Sequence, residues 1–267
     1  MTDLTIWFGI WDDFVERLED EDEAEGFRFS TKEYVAQSFG LSSNKDTEST
    51  TRSVHPLILN FAGIAEKIRD AYDVEQREEL LRHFDQYIDA TRIETEFEKS
   101  EFVPSLERYW EVRTLTSGMG TLLGMSEFAL GVKLPMSVVT SAAYETLWLS
   151  TIVINSIVND LISLKKEMRA GSVLSSVAIM FHESGGDLDL AVRLSVEHVR
   201  QLVEVYDTTA TMLLFDLVGD QETCKALTKV IDLFRMVNTG NLEWSLGAKR
   251  YGVTEFTQED GSIEVVL

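Results

Sequence analysis

The segment at 136–168 limits the folds open to this chain more than any other feature. About twenty mostly apolar residues, interrupted by Glu145 and several Ser and Thr, run into Asn159-Asp160-Leu161-Ile162-Ser163-Leu164-Lys165-Lys166-Glu167. An apolar run of this length fits a buried helix or a bilayer span, and is too long for a strand. Its polar, ligand-like end favours a buried central helix over a membrane span. On a helix, Asn159, Ser163 and Glu167 are spaced four and four and share one face. An amide oxygen, a hydroxyl and a carboxylate then point the same way. Hard oxygen donors of this kind suit Mg²⁺ better than zinc or copper. Asp160 points to another side and is expected to hold a supporting contact.

The rest of the chain agrees with helices. Three prolines and 16 glycines in 267 residues are few for a turn-rich sandwich or barrel. The expected fold class is all-α. A net charge of −22 argues against nucleic acid and anionic membranes as partners. An anionic substrate would have to be held through metal ions and a few local cations. Cys224 is the single cysteine, so no intramolecular disulfide can form and a reducing compartment is expected. The N-terminus has neither a basic region nor a cleavable apolar run. A soluble cytoplasmic protein is the expectation.

Read in order, 4–21 is a helix whose acids at 19–23 form a solvated end or loop. A short helix at 31–39 stops at Gly40. Residues 41–53 are a polar loop. Helices follow at 55–72 and 74–99, with Leu80, Leu81, Phe84, Tyr87 and Ile88 at helical spacing. Pro104-Ser105-Leu106-Glu107 opens a helix that breaks at Ser117-Gly118. The long helix at 136–168 comes next, then 172–182, 188–217 after Gly185-Gly186, and 222–238, punctuated by Gly240. A strand is conceivable only at 263–267. No repeat or linker is visible.

Four groups of residues carry candidate chemistry. Asp12 and Glu16, in Asp12-Asp13-Phe14-Val15-Glu16, share a helix face behind Trp7-Phe8-Gly9-Ile10-Trp11. Two carboxylates so placed can bridge divalent ions, or simply form an acidic surface. Arg113, four residues after Tyr109 and just before the glycine break, can offer an anion a fork of hydrogen bonds. The 159–167 stripe is the third group. The fourth is Trp244 with Arg250-Tyr251.

Taken in order, these groups resemble class I terpene synthases. An early acidic motif is followed by an arginine before a helix break, Asn-Asp-x-x-Ser-x-x-x-Glu, and Arg-Tyr near the end. Arg113 lies 46 residues before Asn159, and Arg250 lies 83 after Glu167. The Asp-Asp-x-x-Glu variant, the Lys166-Glu167 pair and Trp244 resemble microbial, especially fungal, sesquiterpene synthases. The resemblance implies a helical bundle around a central active-site cavity, a single cyclase domain over 1–251 and an acidic tail at 252–267. It implies three Mg²⁺ ions, bound by Asp12 and Glu16 and by Asn159, Ser163 and Glu167. Arg113 would sense the substrate diphosphate, with Thr116, Ser117 and Gly118 at the break that answers it. Lys166, Arg250 and Tyr251 would hydrogen-bond the diphosphate, while Asp13 would not be a direct ligand.

The implied reaction is ionisation of a linear prenyl diphosphate, farnesyl diphosphate first, followed by cyclisation. Trp244, and less directly Phe8, would stabilise the cation by their ring faces; ordinary core packing is the alternative for both. Family members carry several helices before the first acidic motif, which here begins at position 12, so the chain reads as N-terminally short. Exposed apolar surface and association are the expected cost, and a homodimer is in keeping with the family. Two other readings stay open: a truncated, impaired cyclase serving as a non-catalytic helical protein, and a prenyltransferase like the prenyl diphosphate synthases. The latter would be expected to carry a second Asp-Asp-x-x-Asp motif, where this chain has 159–167.

Overall fold

A computed structural model describes residues 2–42, 54–98, 103–170, 174–256 and 258. Among them every regular element is helical. The chain partitions into two compact units, Met1–Thr95 with Gly118–Val132, and Glu96–Ser117 with Lys133–Leu267. The expected domain over 1–251 contains most of both.

The first unit is built on α1 (Thr2–Glu16), α2 (Glu21–Ser38), α3 (Pro56–Leu59), α4 (Ala62–Ala71), α5 (Val74–Glu98), α7 (Met119–Leu123) and α8 (Ser126–Leu130). The acidic run expected as a helix end is instead a helix start. Asp20 caps α2 by accepting from the Glu23 amide at 3.0 Å, and Glu21, Asp22 and Glu23 fill the first turn. Carboxylates there face the positive end of the helix dipole, so their clustering favours a beginning over a fray. The helix read at 31–39 is the second half of α2, which Gly40 ends in the left-handed region at φ 72°. The segment read as one helix at 55–72 is two. His55 caps α3, and Phe61 starts α4. The short α7 and α8 carry no periodic signal long enough to read in advance.

An aromatic core fills this unit. Leu4, Trp7, Phe8, Trp11 and Val15 of α1 are buried with Phe27, Val35, Phe39, Phe61, Phe84 and Tyr87. Phe8 stacks on Phe84 at 5.2 Å and meets the edge of Tyr87 at 5.0 Å. The Trp11 indole donates to the Thr31 hydroxyl at 3.0 Å, which pins α1 to α2.

The second unit holds α6 (Leu106–Thr116), α9 (Met136–Val139), α10 (Ala142–Ala170), α11 (Ser176–Glu183), α12 (Leu188–Asp216), α13 (Gln221–Gly247) and a 3₁₀ turn at Val253–Phe256. The central helix expected over 136–168 breaks once. The Ser141 hydroxyl, itself bonded to the Val138 carbonyl, accepts from the Tyr144 amide and starts α10. Helix α10 packs against α12, α13 and α11. Ala142–Met168 is long and apolar enough to cross a bilayer by composition, yet 67% of its most apolar window is buried in the protein. Gly240 does not punctuate α13, which runs through it to Gly247; a lone glycine lowers helix propensity without ending a well-packed helix. Of the expected loop at 41–53 only residues 41 and 42 are described, without regular structure, and the expected strand at 263–267 lies outside the described residues.

Candidate functional site

In the second unit, α6, α10 and the segment after α13 bring five of the expected residues into one hydrogen-bonded chain. Arg113, one turn from the end of α6, donates to Asn159 Oδ1 at 3.1 Å. Asn159 Nδ2 donates to the Tyr251 hydroxyl at 3.1 Å. The Ser163 hydroxyl lies 2.7 Å from the Asn159 carbonyl and 2.6 Å from Glu167 Oε1. The four-residue spacing on α10 thus produces the stripe, as helix geometry requires. Burial pushes the Glu167 carboxyl above its ordinary range; the Ser163 hydrogen bond and the Arg113 charge work against that shift. Glu167 Oε2 is buried without a hydrogen-bond partner.

Asp160 faces away from this stripe. It is 1% exposed, and its Oδ2 accepts from the Tyr109 hydroxyl at 2.9 Å and from the Ser176 amide and hydroxyl at 2.8 and 2.6 Å. Its Oδ1 lies 3.8 Å from the Arg113 guanidinium. One carboxylate therefore ties α6, α10 and the start of α11 together and balances the arginine charge. Burial and the Asp160 charge hold the Tyr109 phenol well above its ordinary pKa, so it remains a donor. Tyr109 could be anticipated, since it lies four residues before Arg113 on the same helix. Ser176 was read inside a helix over 172–182 and carried no sequence signal for this contact; it is the first residue of α11.

Other expected residues stand outside this chain of bonds. Lys166, Arg250 and Trp244 are exposed. Trp244 is 60% exposed, which does not fit the core-packing alternative, and its ring meets the edge of Tyr251 at 6.1 Å. The Arg250 guanidinium lies 5.9 Å from the Tyr251 ring centre. Beyond α13, Lys165 Nζ lies 3.9 Å from the Phe256 ring centre, which holds the terminal turn on α10. Thr116 is buried, and Ser117 closes α6 by donating from its amide to the Arg113 carbonyl at 3.0 Å. Gly118 follows with φ 68°, so the expected break is present.

In the first unit, Asp12 Oδ1 accepts from the Tyr87 hydroxyl at 2.6 Å. Burial, then the charge of Asp12, pushes the Tyr87 phenol far above its usual value. Asp13 points outward to Arg17 at 3.6 Å. Glu16 is exposed one turn on. Tyr87 was read only for its helical spacing; 75 residues from Asp12, it had no local signal. Phe8 belongs to the aromatic core, so packing accounts for it.

Among the described residues no group of three or more His, Cys, Asp or Glu is gathered for a metal. The 159–167 stripe, with one carboxylate, one amide and one hydroxyl, is not of that composition. It does fit a hard divalent cation: all its donors are oxygens, and Glu167 keeps a buried oxygen that no protein group serves.

The chain matches the family described as terpene synthase family 2, C-terminal metal binding, over residues 3–204. It belongs to this family. As a terpene synthase it falls among lyases. The sesquiterpene cyclase hepA of Aspergillus oryzae is 25% identical over 98% of this chain and 74% of its own length. Pristinol synthase of Streptomyces pristinaespiralis is 30% identical over 67% of this chain and 49% of its own length, so the match spans about half of that relative. Linalool/nerolidol synthase from Streptomyces clavuligerus aligns with a TM-score of 0.78 at 16% identity, covering 91% of this chain and 79% of that one. Germacradien-4-ol synthase from Streptomyces citricolor aligns at 0.76 and 16% identity, covering 92% and 77%. At such identities the structural likeness establishes the all-α terpene synthase fold.

Proposed function

We propose that this chain is a magnesium-dependent, cytoplasmic terpene cyclase. It ionises a linear prenyl diphosphate, farnesyl diphosphate before its C10 and C20 counterparts, and releases a cyclic C15 product with diphosphate. The observation that carries the reading is the buried, unserved Glu167 Oε2 on the stripe with Ser163 and Asn159. A buried carboxylate oxygen without a donor calls for a cation.

Magnesium ions, when bound, supply Lewis-acid neutralisation of the leaving diphosphate. Asn159, Ser163 and Glu167 are assigned to one ion, Asp12 and Glu16 to others. The remaining work falls to side chains of this chain. Arg113, steadied by Asp160, offers guanidinium donors to a phosphate oxygen. Tyr251, joined to Asn159, offers a phenol, and the exposed Lys166 and Arg250 add charge where negative charge develops. The allylic C–O bond breaks and its electron pair leaves with the diphosphate. Trp244 can then stabilise the cation by ~0.5–2 kcal/mol through its ring face. The acids thus let a chain of charge −22 handle a polyanion, because they recruit the ions that recruit the phosphate.

The test is incubation of the purified chain with farnesyl diphosphate and Mg²⁺, with gas-chromatographic analysis of the extract and Glu167→Ala as control. A cyclic terpene that vanishes in the variant is expected. Product formation that persists in Glu167→Ala would refute the assignment of the stripe, and no turnover of any C10–C20 prenyl diphosphate would refute the function.

A further inference from the structure

Helices α10 and α13 lie side by side, and their contacts advance together along both. Phe234 meets Tyr144 at 6.1 Å and Trp148 at 5.9 Å. Asn241 Nδ2 reaches the Asn155 carbonyl at 3.5 Å. Tyr251, just past α13, bonds Asn159. Phe234, Asn238, Asn241 and Ser245 are spaced four, three and four and share one stripe of α13. Asn238 is therefore on the face turned to α10, between the Phe234 and Asn241 contacts.

A facing stripe in a helical core is ordinarily apolar. Here it changes from aromatic at Phe234 to three consecutive polar positions. Asn238 Oδ1 is buried with no hydrogen-bond partner, and so is Ser156 Oγ on the neighbouring turn of α10. The fully buried Ser245 reaches Asn241 Oδ1 only at 3.5 Å. Asn155 is 9% exposed. An amide oxygen left unserved is destabilising unless water serves it. Buried waters favour such places, where several polar atoms converge and none is saturated by protein.

The position along α10 gives this seam a chemical meaning. Asn155 precedes Asn159 by one turn, about 5–6 Å of rise. On the proposed reading, the diphosphate is held at Asn159 and the ligands continue toward Glu167. The course left for the hydrocarbon along this face is toward Asn155, beside Asn238 and Asn241. We propose that Asn238, with Asn241 and Asn155, holds a water molecule that is added to the terpenyl cation, so that the main product is a terpene alcohol. The inference rests on the cyclase reading. In the step, the allylic C–O bond has broken and its electron pair has left with diphosphate. A lone pair of the water oxygen then forms a new C–O bond to the cation. The resulting oxonium loses a proton to the released diphosphate. Without the held water, the cation loses a C–H proton instead and gives a hydrocarbon.

The experiment is turnover of farnesyl diphosphate with Mg²⁺ in ¹⁸O-labelled water, with mass-spectrometric analysis of products from the wild-type chain, Asn238→Leu and Asn238→Ser. Diphosphate release and circular dichroism are followed in parallel. A dominant alcohol carrying one ¹⁸O is expected from the wild type. Asn238→Leu should lower the alcohol-to-hydrocarbon ratio at least tenfold, with Asn238→Ser in between. Asn241→Leu, should the first variant fail to fold, is expected to shift the ratio the same way. The ratio is internal to each reaction, so a merely weakened fold leaves it unmoved. Hydrocarbon as the main wild-type product, or a ratio unchanged in all folded variants, would overturn the proposal while leaving the cyclase standing. No turnover in the wild type would bring down both.

Discussion

Glu79 shows how single residues set the acid stability of the first unit. Hydrogen bonds from His83 and then Arg82 hold its carboxyl at about 2, below the ordinary 4.5. Burial holds His83 itself below its usual value. A carboxylate with a depressed folded-state pKa adds stability that is fully present above about 4.5 and is lost as pH falls toward 2. The side chain is partly solvated, so the contribution is about 1 kcal/mol or less. Urea melts between pH 2 and 5 should show a steep acid limb for the wild type and a shallower one for Glu79→Gln. Equal slopes would mean that this cluster does not govern the acid limb. The sequence announced residues whose spacing is their geometry: Asn159, Ser163 and Glu167 lie on one face because a helix repeats every 3.6 residues. The sideways course of Asp160 was legible for the same reason. Its partner Ser176 was not, nor was Tyr87 as the donor to Asp12, because such pairs meet through packing across long stretches of chain. The exposure of Trp244 was hidden too, since an indole near the end of a helix looks the same whether or not its neighbours cover it.

Glycines separate what an element needs from what it tolerates. Gly118 opens α7 with φ 68°, where a side chain is strained whatever the space, although a Cβ would come no nearer than 3.8 Å to Tyr87. Gly240 lies in ordinary helix, with nothing within 4 Å of a Cβ. Gly118→Ala should therefore lose ~1–2 kcal/mol. Gly240→Ala should gain ~0.5–1 kcal/mol by restricting the unfolded chain and raising helix propensity. Denaturant titration of the two variants should give opposite signs; a loss at Gly240 would mean that its α13 surface is covered by something else. The break at Gly118 was legible because two glycines, Gly118 and Gly120, fall together there. The passage of α13 through Gly240 was not, since packing outweighs a propensity penalty of this size. The same competition explains the acids at 19–23: composition suggests a frayed end, but Asp20 as cap and three acids at the positive pole make a start.

At the scale of the whole molecule, charge is the controlling quantity. A chain of net charge −22 repels itself, so monovalent salt should raise its melting temperature by screening. That gain is generic and depends on ionic strength alone. A chain that gathers divalent ions at defined oxygens should gain more from MgCl₂ with inorganic pyrophosphate than from NaCl at the same ionic strength. Ligands that bind only the folded state stabilise by mass action, ~2.7 kcal/mol at a hundredfold excess over Kd. For a chain of this size that corresponds to a rise of roughly 5–10 °C. The increment should need both components, since the ions and the pyrophosphate hold each other. It should disappear in Glu167→Ala, which keeps the bulk charge nearly unchanged but removes the buried oxygen that lacks a donor. Thermal melts of both proteins across the matched salts separate the two effects. If the wild type and Glu167→Ala rise equally, the stabilisation is screening alone, and the 159–167 stripe does not bind magnesium in this chain. If only the wild type shows the surplus, the same acids that make the molecule repel itself are what let it hold a diphosphate.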